Sequence, residues 1–88
     1  MPYNSKAFGL TLSRLRVRKN LTQEHLSGLA GLSRSHLAAL ESGEKIIRLD
    51  TLWRLAEALE VSPSELIRMT EEEGKRNGIR FQKIQKQS

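Results

Sequence analysis

The sequence contains no cysteine, which removes a disulfide framework, a thiolate metal site and a cysteine nucleophile together, and fits a reducing compartment. Long apolar runs are missing as well. Nothing between Met1 and Asn20 can serve as the hydrophobic part of a signal peptide, and no later stretch reaches the ~20 residues of a membrane helix. A cytoplasmic location follows as the expectation. There is no glycine-rich phosphate loop and no pair of carboxylates in an apolar cleft, so no catalytic constellation can be assembled and no enzyme is expected. His25 and His36 have no cysteine or acidic partner at ligand spacing, which argues against a metal site; no cofactor is implied. No internal repeat is present.

Acidic residues are missing from both ends. Residues 1–20 hold five cations (Lys6, Arg14, Arg16, Arg18, Lys19) and no acid, and the chain from Gly74 onward holds five more and again no acid, whereas residues 21–70 carry five cations against seven acids. The formal charge of +5 is therefore concentrated at the termini. Localised basic surface suits a polyanion, nucleic acid first and an anionic membrane second, with plain solubility as the alternative. The apolar residues of the tail are too few and too badly spaced for an interfacial amphipathic helix, so no membrane partner is expected. Eighty-eight residues, 38% of them hydrophobic and 28% charged, allow one domain with a single core of four or five short helices.

The helices can be placed from spacing and caps. Phe8, Leu12, Leu15, Arg16 and Lys19 recur at helical intervals, predicting a first helix over about 6–19, ended by Asn20, which tolerates a left-handed conformation. Thr22 is an N-cap for a second helix carrying Leu26 and Ala30, which Gly31 ends. Ser33 caps a third, with Leu37, Leu40 and Glu41 on one face and Arg34, Ser35, Ala38 and Ala39 on the other, stopped by Gly43. A fourth helix spans about 49–59, with Leu52, Leu55, Ala56 and Leu59 facing inward. Ser62, Pro63, Ser64 and Glu65 combine a capping box with a proline at the first helical position, and Val61 can staple onto Leu66. Past Met69 the regular pattern is expected to end at Glu71 to Gly74, leaving a loosely ordered tail in which Ile79 and Phe81 alternate like a strand while Phe81 and Ile84 suit a helical turn.

Taken in order, Leu15 and Arg16, Asn20 to Gln23, Leu26, Ala30 to Ser33, Leu37, Glu41 to Gly43, Leu49 to Leu52, Leu55, Ala56 and Leu59 make the chain from about Phe8 to Ile67 resemble the lambda-repressor-like, Cro-type (XRE) helix-turn-helix regulators. The resemblance implies an all-α five-helix DNA-binding domain over 1–70 and a basic tail over 71–88. It also implies a second helix lying across the DNA backbone and a third entering the major groove. Glu44 to Arg48, and Gly28 with Leu29, depart from the family pattern; Leu29 and Ile46 look exposed.

At the groove, the free N–H groups and partial positive charge at the start of the second helix suit a phosphate, with Gln23 adding an amide donor beside Thr22. Arg34 can present a bidentate fork to guanine N7 and O6. Ser35 can bond a base or a phosphate, and Ala38 and Ala39 either let the helix approach the bases or are simply good helix formers. His36 is expected at backbone, and Lys45 and Arg48 at phosphates or in a solvated loop. The family carries a buried bridge at the positions of Arg16 and Glu41, which implies a structural pair joining the first and third helices.

A single helix-turn-helix reads few base pairs, so a homodimer is expected on half-sites about 34 Å apart, with Trp53, Leu66, Ile67 and Met69 as interface candidates and packing under the tail as the alternative for Trp53. The partners implied are a double-stranded DNA operator, a second copy, and RNA polymerase or another protein. With no sensor domain read after the fifth helix, the chain is similar to phage repressors, antitoxins and restriction-modification controller proteins, the controllers first. The rival function is a protein-interaction module of the same fold, an antitoxin or coactivator bridge.

Overall fold

Short oxygen-bearing side chains and left-handed residues divide the chain into helices. The computed structural model describes residues 3–76, which form α1 (Ser5–Arg18), α2 (Gln23–Ala30), α3 (Arg34–Ser42), α4 (Leu49–Ala58) and α5 (Pro63–Arg76), with no strand among the described residues. The fold is the expected all-α, five-helix one. Asn4 Oδ1 accepts from the backbone N–H groups of Lys6 and Ala7, so α1 starts one residue before the predicted point. Thr22 Oγ1 and Ser33 Oγ accept from the N–H groups of His25 and His36, each at 3.0 Å. Asn20 (φ 61°), Gly31 (φ 72°) and Gly43 (φ 84°) turn the chain in the left-handed region after α1, α2 and α3. Glu60 does the same after α4, a role no local signal assigned to it.

The capping box is realised by half. Ser62 Oγ accepts from the Glu65 N–H at 3.1 Å, but the Glu65 carboxylate is gripped by Arg68 at 2.6 Å, and that guanidinium holds it below the ordinary glutamate range.

Burial follows the helical stripes. Phe8, Leu12 and Leu15 from α1, Leu26 and Ala30 from α2, Leu37 and Leu40 from α3, Leu52, Leu55 and Ala56 from α4, then Leu59 and Leu66, make one core. Leu66, offered above as an interface residue, is fully buried (0% exposed), and Met69 is half-buried against the same core. The inward face of α5 thus repeats at 66, 69 and 73, the i, i+3, i+7 spacing of one helix stripe, and turns these residues toward the rest of the domain.

That stripe also explains why α5 outlasts its predicted end. Glu73 and Gly74 are buried, and Glu73 Oε1 takes Arg14 Nη1 at 2.8 Å and Arg76 Nη2 at 3.1 Å. One turn earlier, Thr11 Oγ1 of α1 reaches the Met69 carbonyl at 3.4 Å. Residues 71–76, read from the sequence as the start of a loose tail, are therefore helix packed on α1; Ile79, Phe81 and Ile84 lie outside the described residues. Arg14 is half exposed, so solvent screens the pair and its worth is modest. Glu73→Ala is expected to cost about 1–2 kcal/mol and to lower Tm by roughly 5–10 °C, with amide exchange in the last two turns of α5 rising first. A variant that melts with the wild type would show that these ion pairs do not anchor the helix.

Candidate nucleic-acid interface

Two short helices and a tight turn present α3. Gly31 lets the chain reverse, the Leu32 N–H closes back onto the Ser27 carbonyl at 2.8 Å, and Ser33 starts the next helix. Leu37 and Leu40 are buried, which leaves Arg34 and Ser35 exposed at the first turn, with Ala38 and Ala39 half-buried at the boundary. Arg34 has no hydrogen-bond or ion-pair partner among the described residues, so its five donors stand free at the solvent end of the helix.

Behind this surface lies a polar network. Arg16 Nε donates to Glu41 Oε2 at 2.7 Å and Nη2 to Oε1 at 3.1 Å, a bidentate fork, while Nη1 donates to the Leu21 carbonyl at 2.8 Å. Both side chains are largely covered, 15% and 7% exposed. The expected pair is present, and it has a third member. Gln23 Nε2 donates to Glu41 Oε1 at 2.9 Å, so the amide assigned above to phosphate points at the carboxylate. A primary amide carries two N–H bonds; one is used here and one remains. Thr22 Oγ1 satisfies the His25 N–H, leaving the N–H groups of Gln23 and Glu24 as the orphan donors at the N-terminus of α2.

The other phosphate candidates are placed unequally. Lys45 is exposed. Arg48 is exposed but paired with Asp50 at 3.2 Å, a solvent-screened surface contact readily exchanged for a phosphate. His36 is half-buried, and its backbone N–H is spent on the Ser33 cap. No group of three or more metal-binding side chains occurs among the described residues, and no described helix is long and apolar enough to cross a membrane.

Sequence reasoning missed three features. Gly9 lies in α1 where an added Cβ would stand 2.3 Å from the Glu41 carbonyl oxygen and 2.7 Å from that of Leu40; only a residue with no side chain lets α1 lie this close to the end of α3. Ser5 Oγ adds a bond to the Gly43 carbonyl at 2.9 Å. A glycine in the middle of a helical stretch was the available signal. The third feature is apolar. A groove of about 570 Å³ opens where the loop between α3 and α4 meets α4 and α5, lined by Tyr3, Ile46, Ile47, Leu49 and Ile67 among others. Of the interface candidates only Ile67 lines it; Trp53 is exposed beside it, sharing Leu49 with a shallower depression next to Arg48 and Asp50.

Known proteins share this fold. The helix-turn-helix family model HTH_3 matches residues 6–66. The HTH-type transcriptional regulator y4dJ of Sinorhizobium fredii is 42% identical over 67 residues, covering 76% of this chain and 87% of its own. The control protein C.BamHI of Bacillus amyloliquefaciens is 31% identical over 64 residues, 72% of this chain and 79% of its own. Among solved structures, the restriction-modification controller protein C.AhdI of Aeromonas hydrophila superposes with a TM-score of 0.69 at 40% identity, covering 70% of this chain and 94% of the controller. With its capped α2 and α3, its left-handed turns and its matched span, the chain belongs to the HTH_3 helix-turn-helix family of XRE type, among transcriptional regulators and controller proteins.

Proposed function

We propose that the protein binds double-stranded DNA in a sequence-specific way and regulates transcription as a dimer at a promoter operator, excluding or recruiting RNA polymerase there. The observation that carries this reading is Arg34: an exposed guanidinium without a partner, at the capped first turn of a helix whose opposite face is core. Arg34 reads guanine, and Ser35, Ala38 and Ala39 border the bases. The α2 N-terminus with Thr22 and Gln23, and Lys45 and Arg48 beside α3, take phosphates, which makes affinity fall steeply with salt. His36 sits at the edge of this surface. The similarity to C.AhdI and C.BamHI supports a controller of restriction-modification genes as the subtype.

The test is a gel-shift titration at two salt concentrations, wild type against Arg34→Ala, with a duplex from upstream of its own gene and an unrelated duplex. The wild type is expected to prefer the upstream duplex, and the variant to lose roughly 5- to 150-fold on it, the equivalent of about 1–3 kcal/mol for one bidentate base contact, with little change on the unrelated one. Equal, weak binding of the wild type to both duplexes would exclude the reading.

A further inference from the structure

The bridge from Arg16 to Glu41 would be complete without Gln23. The Arg16 fork already engages both oxygens of Glu41, yet Gln23 Nε2 adds a third bond at 2.9 Å, to the same Oε1 that takes Arg16 Nη2. Three helices meet at this one carboxylate, since Arg16 comes from α1, Gln23 from α2 and Glu41 from α3. Glu41 is 7% exposed, whereas Gln23, the first residue of α2, is half-buried at the rim. The amide is thus gripped from beneath the surface.

An ionised carboxylate accepts hydrogen bonds and donates none. Facing Glu41, the Gln23 amide must present its NH2 group, so its carbonyl oxygen is turned elsewhere; a glutamine free in solvent exchanges the two orientations without cost. The fixed nitrogen keeps a second N–H. It belongs to the residue whose backbone N–H, with that of Glu24, has no acceptor within α2, because Thr22 takes the N–H groups of His25 and Leu26. Every polar group held in place at this helix start is a donor, and a phosphate is acceptor only.

We infer that Glu41 is a positioning residue for DNA: besides pairing with Arg16, it fixes the Gln23 amide in advance, so that an N–H and not the carbonyl meets the phosphate taken at the start of α2. The inference rests on the phosphate reading of Thr22 and Gln23 above and deepens it. A glutamine without this anchor has to be ordered by the DNA itself, and immobilising one such side chain lowers affinity roughly 2- to 12-fold. The amide carries no charge and displaces no counter-ion, so losing its anchor weakens binding by the same factor at every salt concentration. All duplexes are affected alike, because phosphate contacts carry no sequence information. Loss of the Arg34 fork differs on this point, since it acts on the preferred duplex.

The test compares two double variants of the full chain that both delete the charge pair, Arg16→Met/Glu41→Leu and Arg16→Met/Glu41→Gln. The first leaves Gln23 without its acceptor, and the second keeps a carbonyl oxygen for it. Melting curves fix a temperature at which both are folded. By fluorescence anisotropy on the unrelated duplex at two salt concentrations, the first is expected to bind roughly 2- to 12-fold more weakly than the second, with the same salt slope, and Gln23→Ala to cost less in the first background than in the wild type. Equal affinities of the two double variants, or an equal cost of Gln23→Ala in both backgrounds, overturn the inference and leave Glu41 a structural partner of Arg16 alone. A measurement on the wild type without DNA does not depend on how the variants fold. The side-chain amide of Gln23 should show an NMR order parameter near the about 0.85 of rigid backbone, and a value below about 0.6, that of a flexible group, overturns the inference. A wild type unaffected by Gln23→Ala removes the phosphate reading and this inference with it. A wild type with no operator preference in the gel shift removes only the regulator reading, since the unrelated duplex still reports phosphate contacts.

Discussion

Arg16→Met is expected to lower the melting temperature by more than about 15 °C, the equivalent of about 3–5 kcal/mol in a domain of this size. The substitution keeps the bulk of the side chain but strands the Glu41 carboxylate, 7% exposed, with the Gln23 amide as a remaining side-chain donor, and takes a donor from the Leu21 carbonyl. The cost is that of a buried charge without its counter-ion, not the net worth of the pair. The double variant Arg16→Met/Glu41→Leu, which removes both charges, should therefore recover most of the loss. Thermal melts of the four chains of this cycle measure the difference. A single variant as stable as the wild type but unable to bind DNA would move Arg16 from the scaffold to the reading surface.

Glycine to alanine should have opposite effects at two positions. In a helix interior the change is ordinarily favourable by about 0.5–1 kcal/mol. Gly28 in α2 has nothing within 4 Å of an added Cβ, so Gly28→Ala should raise Tm by about 4–8 °C per kcal/mol gained. At Gly9 the added carbon would meet the Glu41 carbonyl oxygen at 2.3 Å, and backbone cannot rotate out of the way as a side chain can. Either α1 lifts off α3, opening the contacts of Phe8 and Leu12, or α3 loses its last turn. Gly9→Ala is expected to cost about 3 kcal/mol or more net of the propensity gain, lowering Tm by more than about 10 °C. Melting both variants side by side decides the matter: a Gly9→Ala chain that matches or exceeds the wild type would show that the crossing of α1 and α3 is adjustable.

The helix boundaries could be read because they are set locally. Thr22, Ser33 and Pro63 each open a helix, and Gly31 and Gly43 each close one, using atoms within a few residues of themselves. The core was readable for the same reason, since Leu26, Leu37, Leu52 and Leu55 keep helical period. The errors arose where partners lie far apart in the chain. Glu71 to Gly74 look like a helix end until Arg14, 59 residues away, is found beside Glu73. Leu66 and Ile67 are adjacent apolar residues that the sequence could not tell apart; the packing of α5 on the core sends one inward and the other out. Gln23 is as good a phosphate donor as any in isolation, and becomes a network member only because Glu41 arrives from α3. At the candidate site, Arg34 and the bridge from Arg16 to Glu41 were legible, one from its position after the cap and the other through the family resemblance. The grouping of Leu49 and Tyr3 with Ile46 and Ile67 was not, because it is made by the packing of the loop before α4 beside α5.

On α3 the side chains that hold the helix and the side chains that face outward are different ones. Leu37, Leu40 and Glu41 engage the rest of the domain, while Arg34 and Ser35 touch little beyond their own turn, and a substitution at the latter usually changes stability by no more than about 0.5 kcal/mol. If these outer residues read DNA as proposed, descendants of this chain can drift from one operator to another through a series of folded intermediates, the outer residues varying freely while the inner ones stay under purifying selection. An engineer who randomises Arg34 and Ser35 should recover a library in which most members are expressed and folded and, on the proposed reading, differ mainly in the DNA they choose.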